Sequence, residues 1–214
     1  MFRTGEPNLV LEIDSATSGD RHAVAFLAGP PPAYRVDYRS CVFSAVVTAG
    51  SELLATPMRI GPSATSRAVA VAWDRRSTFG LVWVRPDFDP AMHLARIDRD
   101  GLLFDAPRPV GKPWLMPPER PEPLSLITPP YVSIAFGAGG WGIAFPQAPS
   151  SPTCRRYAGL VRTDRWGTLT DLVCLDGVLH TTQAYGDVVF DGEAFGWLHN
   201  SHFALRLVRW LVGP

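Results

Sequence analysis

The feature that most constrains this chain is a phrase it repeats. In AVAVAWDRRSTFGLVWV, residues 68–84, two apolar runs flank a polar elbow, DRRST. Runs of about six residues, rich in Val, Trp, Phe and Leu, are strands rather than helices, and the short elbow makes them a hairpin. Apolar side chains stand at both parities of both runs, so both faces of the hairpin are expected to be covered. No run of 18 apolar residues exists, so no transmembrane helix is expected and the cover has to come from other parts of the protein.

The phrase returns in YVSIAFGAGGWGIAF, residues 131–145, and in YGDVVFDGEAFGWLH, residues 185–199. In each, an aromatic ends the first run (Trp73, Phe136, Phe190). A turn follows, and then an aromatic–glycine pair (Phe79-Gly80, Trp141-Gly142, Phe195-Gly196). A weaker copy is HAVAFLAGPPPAYRVDY, residues 22–38, with Phe26 in the first aromatic slot. It departs from the pattern where Pro30, Pro31 and Pro32 lengthen the turn and Arg35, not glycine, follows Tyr34. The first aromatics stand 47, 63 and 54 residues apart, close to the size of a four-stranded unit with loop insertions.

Each hairpin is followed by a third apolar run, a glycine turn and a fourth run. Examples are CVFSAVVTAGSELLATPMRIG, MHLARIDRDGLLFDAPRPVG and YAGLVRTDRWGTLTDLVCLDG, and Asp100-Gly101 is a strong tight-turn pair. The last unit, FALRLVRWLVGP, has no fourth run. GEPNLVLEI, near the N-terminus, belongs to no other unit. The expectation is therefore that Pro7–Ile13 forms the outer strand of the last unit and closes a ring. Proline suits such an outer edge, and a ring limits the edges open to aggregation.

The unit AVAVAWDRRSTFGLVWVRPDFDPAMHLARIDRDGLLFDAPRPVG resembles the blades of bacterial β-propeller repeat proteins. Arginine supplies every basic residue except Lys112, and with abundant Ala, Gly and Pro this fits a GC-rich bacterial genome. The resemblance implies an all-β fold: one four-bladed β-propeller domain over residues 1–214, closed by pairing of the N-terminal strand 7–13 with the last blade. Blades fall near 18–62, 63–113, 127–178 and 183–214, with a Pro-rich insertion at 111–130. A half-ring that dimerises and a β-sandwich are the alternatives. The resemblance is one of strands and carries no catalytic residues. Trp73, Trp83, Trp141 and Trp197 are expected to pack between blades, where a large aromatic fills the wedge between diverging sheets.

Functional signals are sparse. Twenty basic and twenty acidic residues cancel, so nothing draws the whole molecule to nucleic acid. The three cysteines include no CxxC, and the N-terminus has no signal-peptide pattern. GxSxG, P-loop and GxGxxG motifs are absent, as is a sialidase-type Asp-box repeat. The expectation is a non-catalytic binding or scaffold module for a protein or glycan partner, without cofactor or metal. A hydrolase or metal-dependent enzyme with its site at the central channel mouth is the alternative.

Two surfaces are candidates for binding. The Pro-rich insertion is stiff and would present Trp114, Leu115 and Met116. The loops between second and third strands would gather on one face around the channel. They carry Asp87, Asp89, Arg155, Arg156, His199 and His202. The two histidines of HNSH lack the helical i, i+4 spacing that puts two imidazoles on one metal.

Overall fold

The computed structural model describes residues 9–29, 40–61, 68–85, 91–110, 132–146, 158–174, 187–201 and 204–211. They form fifteen strands in four antiparallel sheets, taken in chain order. Blade 1 holds β1 (Leu9–Thr17), β2 (Arg21–Gly29), β3 (Cys41–Thr48) and β4 (Met58–Arg59). Blade 2 holds β5 (Ala68–Trp73), β6 (Thr78–Arg85), β7 (Ala91–Asp98) and β8 (Leu103–Val110). Blade 3 holds β9 (Ser133–Gly137), β10 (Gly140–Pro146), β11 (Ala158–Asp164) and β12 (Leu169–Cys174). Blade 4 holds β13 (Val188–Phe190), β14 (Ala194–Ser201) and β15 (Ala204–Leu211).

Successive blades pack face to face. Their first strands are neighbours: β1 lies beside β5, β5 beside β9, and β9 beside β13. The apolar layers between blades are continuous. Leu27, Val42 and Val46 of blade 1 meet Phe79, Leu81 and Trp83 of blade 2. Val82, Met92 and Leu94 on the other face of blade 2 meet Trp141, Ile143 and Val161 of blade 3. Ala144 and Leu160 of blade 3 meet Phe195 and Trp197 of blade 4. Blade 2 is thus covered on both faces, as its two-sided apolar pattern requires. The tryptophans serve this packing: Trp83, Trp141 and Trp197 are fully buried, and Trp73 packs half-buried against the layer between blades 1 and 2.

The aromatic–glycine repeat is the joint between blades. In the sheets, Trp73 stands opposite Phe79, Phe136 opposite Trp141, and Phe190 opposite Phe195. Each pair faces the preceding blade. The glycine next to each second-strand aromatic faces the following blade and leaves room for that blade's aromatic. A β-carbon at Gly80 would lie 2.6 Å from Cη2 of Trp141, and one at Gly142 would lie 2.5 Å from Cδ1 of Phe195. A β-carbon at Gly137 would run into the ring of Phe190. Buried rings cannot retreat from such contacts, so the position has to be glycine.

A further tie joins blades 2 and 3. Arg96 is only 2% exposed, and its guanidinium donates to Asp105 Oδ2 at 2.6 and 3.1 Å. Its planar face lies between the rings of Phe104 and Trp166, 4.6 and 4.4 Å from their centroids. The turns between third and fourth strands are also alike. Oδ1 of Asp98 accepts the N–H groups of Asp100 and Leu102, and Oδ1 of Asp164 accepts those of Trp166 and Thr168. Gly101 (φ 90°) and Gly167 (φ 86°) supply the left-handed step.

The N-terminal strand corrects the expected closure. β1 pairs with β2 in blade 1, with Val10 opposite Ala28, and Leu207 lies opposite Leu198 in blade 4. Among the described residues no sheet contains strands from both blade 1 and blade 4. The tight turn through Gly19 (φ 77°) makes β1 and β2 a local hairpin. Its short loop has a smaller closure entropy than bringing the two chain ends together.

The same hairpin corrects the register of the first unit. The ends of its first and second strands are Thr17 and His22, opposite each other. Phe26 stands further along β2 and stacks on Phe43 of β3, 5.5 Å between centroids. Blade 1 therefore has no aromatic pair at the positions where blades 2, 3 and 4 have one.

Candidate functional site

The two ends of the sheets differ. At one end, tight described turns join β1 to β2, β5 to β6, β7 to β8, β9 to β10, β11 to β12 and β13 to β14. At the other end lie the starts of the innermost strands β1, β5, β9 and β13 and the starts of the third strands. The longer connections leave from and return to that end.

The innermost strands carry polar groups toward this end. β1 alternates from Leu11 to Thr17, after a bulge between Val10 and Glu12. Leu11, Ile13, Ser15 and Thr17 occupy one face and are exposed, while Glu12, Asp14 and Ala16 turn toward blade 2. Glu12 Oε1 accepts the N–H of Val69 at 3.2 Å, and Asp14 Oδ2 accepts the N–H of Val71 at 2.8 Å. The two carboxylates thus satisfy the edge of β5 that no strand pairs. Where blades 3 and 4 meet, Ser133 Oγ accepts the N–H of Val188 at 3.0 Å and lies 3.5 Å from Oδ1 of Asp187. Between blades 2 and 3 the corresponding face of β5 offers only Ala68, Ala70 and Ala72.

Burial raises the proton affinity of both β1 carboxyls. It pushes Glu12 from an ordinary 4.5 up to about 7; the Val69 N–H opposes this and the Asp14 charge adds to it. Asp14 is raised as well, first by burial, with the N–H groups of Val71 and Ser15 opposing and the Asp187 charge contributing. Asp187 precedes β13, so its influence on Asp14 links the inner strands of blades 1 and 4. A carboxyl whose pKa is raised toward neutral is suited to hold and give up a proton near pH 7. Among the described residues no three His, Cys, Asp or Glu side chains are grouped to hold a metal ion.

None of the residues singled out from sequence is among these four. Trp114, Leu115, Met116, Asp87, Asp89, Arg155, Arg156 and His202 fall outside the described residues. His199 is in β14, opposite Arg206, so HNSH begins as strand rather than loop. Glu12, Asp14, Ser133 and Asp187 were not singled out. The available signal was the E-x-D alternation inside LVLEIDSAT, which sets two acids on one face of an otherwise apolar strand.

Comparisons with known proteins bear on the fold. No protein-family model matches the chain, and no curated protein matches it in sequence. Solved structures do match in shape. The hemagglutinin-neuraminidase of parainfluenza virus 5 with ligand DANA aligns with a TM-score of 0.58 at 9% identity, over 95% of this chain and 58% of that one. A neuraminidase-like protein from a Guatemalan bat isolate gives 0.59 at 10% identity, over 96% and 53%. The GH43_1 enzyme of Xanthomonas citri complexed with xylotriose gives 0.50 at 11% identity, over 92% and 67%.

These neighbours are β-propellers, and the fold of this chain is of that kind. The chain spans little more than half the length of the two neuraminidase-type proteins. The expectation of a non-catalytic binding or scaffold module is corrected by this comparison. The similar folds belong mainly to hydrolytic enzymes.

Proposed function

We propose that the chain carries a glycan-hydrolysing site on the propeller axis, with Glu12 as proton donor and Asp14 and Asp187 as the neighbouring carboxyl groups. The observation that carries this reading is a pair of half-buried acids on one face of an innermost strand, Glu12 and Asp14, with Asp187 near Asp14 and burial pushing Glu12 up to about 7. Glycosidic bonds are commonly broken by two carboxyl groups. One protonates the leaving oxygen, and the other attacks the sugar or activates a water. Glu12 fits the first role because burial keeps its proton, and Asp14 or Asp187 fits the second. The neighbours named above as neuraminidase and as a glycoside hydrolase holding xylotriose support the substrate class. Asp87, Asp89, Arg155 and Arg156 belong to the reading as groups that would contact the substrate from the connections at the same end.

The test is hydrolysis of a panel of fluorogenic xylosides, arabinosides and sialosides by the purified chain, followed across pH. The rate is expected to fall as pH rises above about 7, where Glu12 gives up its proton. Glu12→Gln keeps an oxygen for the Val69 N–H but has no proton to donate, so kcat/KM should drop about 100-fold or more with folding unchanged. A chain inert toward every glycoside on the panel, or a Glu12→Gln variant as fast as the parent, removes this reading.

A further inference from the structure

Around the axis, side chains of one innermost strand close the main-chain hydrogen bonds of the next. Val71, Ile134 and Val188 hold equivalent positions on β5, β9 and β13, opposite Leu81, Ile143 and Trp197. Bonded and non-bonded pairs alternate along an antiparallel ladder, and at these three positions the N–H points away from its own second strand. Asp14 Oδ2 accepts the N–H of Val71 at 2.8 Å, and Ser133 Oγ accepts that of Val188 at 3.0 Å. The β5 residue at the same place in its hairpin as Asp14 and Ser133 is Ala70, whose side chain has no atom to accept the N–H of Ile134.

Ile134 is 7% exposed and Ala70 is 3% exposed. A main-chain donor buried this far calls for an acceptor. Ala68 and Ala72, on the same face of β5, bring none. One residue nearer the tight turns, Ala16, Ala72 and Ala135 stand at the three junctions alike, so the junctions differ at the level of the acids. At that level Asp14 lies on one side of Ala70 and Ile134, and Asp187, next to Val188, lies on the other. The described inner strands, taken with Asp187, carry three acids and no Lys, Arg or His.

We infer that the Ile134 N–H, beside Ala70, is a substrate-holding donor of the axial site and that it takes an oxygen of an uncharged sugar. This subsite rests on the axial site being a glycan site. A sugar hydroxyl supplies the acceptor without a charge. A sugar bearing a carboxylate would bring a further negative charge among Glu12, Asp14 and Asp187, and no cation on the described inner strands would offset it.

The test is calorimetric titration of the full chain with xylotriose and with sialyllactose, beside two variants. Ala70→Ser sets a hydroxyl where Ser133 has one, so it should satisfy the Ile134 N–H from within and bind xylotriose about tenfold more weakly than the parent. Ala70→Gly adds no acceptor and should bind it as the parent does. Sialyllactose should bind none of the three. In a nitrogen-15 spectrum of the parent, the Ile134 amide should shift when xylotriose is added. An unmoved Ile134 amide overturns the inference whatever the variants do. So do equal affinities of Ala70→Ser and the parent, equal losses in Ala70→Ser and Ala70→Gly, or tighter binding of sialyllactose than of xylotriose. Hydrolysis is read separately. A chain that binds xylotriose as described and cleaves no glycoside keeps this subsite and loses the hydrolase reading, and one that cleaves sialosides alone does the reverse.

Discussion

Gly142 and Gly196 occupy the same place in consecutive blades and live in different surroundings. Phe195 of blade 4 lies over Gly142, while the described atoms within 4 Å of a β-carbon at Gly196 come only from Val189 and Leu207 of its own blade. The local sequence is nearly the same at both, an aromatic then glycine on a second strand. What differs is the neighbour. The glycine is required by a contact between blades, and its own strand would accept a side chain.

The comparison breaks most sharply at the filled position. Gly142→Ala would place a methyl group 2.5 Å from Cδ1 of Phe195, a ring that is fully buried. Blade 4 would have to move outward or the ring leave its rotamer, at a cost of about 1–3 kcal/mol. The measurement is chemical denaturation with tryptophan fluorescence, and a lower midpoint is expected. A midpoint equal to that of the parent would mean that the blades are not locked through these rings.

That joint was legible in the sequence because it is written in one short phrase. The aromatic and the glycine are adjacent, so one word carries both the ring for the preceding blade and the space for the next. Blade 1 was misread because Thr17 and His22 stand where the phrase puts aromatics, and Phe26, six residues past the turn through Gly19, imitated the missing slot. The closure was misread for a related reason. Pro7–Ile13 had the look of an outer strand, but the turn through Gly19 committed Leu9–Ile13 to β2.

The acids were missed because Glu12 and Asp14 alternate with apolar residues. Along a single strand this is the ordinary mark of a solvated face. Only the arrangement of β1 against the unpaired edge of β5, 57 residues away in sequence, turns them into buried acceptors for Val69 and Val71.

A smaller effect separates the first junction from the second. Both are apolar in bulk, but the inner edge of the first is bridged by carboxylates and that of the second is lined by alanines. Glu12 is more basic folded, at about 7, than its ordinary 4.5. The folded chain therefore binds more protons than the unfolded chain between those values. Stability from this group is full below the ordinary value and falls as pH rises to about 7, then levels off. Thermal melts from acid to neutral pH should show that decline, and Glu12→Gln should flatten it by a few degrees. A variant that keeps the parent's slope would assign the pH dependence to Asp14 or to other groups.

The smallest effect is expected at the unfilled position, and its sign is the informative part. Gly196 has an ordinary strand backbone, and a β-carbon there meets only the ends of Val189 and Leu207 at van der Waals distance. Alanine would restrict the unfolded chain more than glycine does. Gly196→Ala should therefore leave stability unchanged or raise it by up to about 1 kcal/mol. Chemical denaturation under the conditions used for Gly142→Ala reads the sign. Destabilisation would show that Gly196, like Gly142, is pressed by a ring or backbone from another part of the chain.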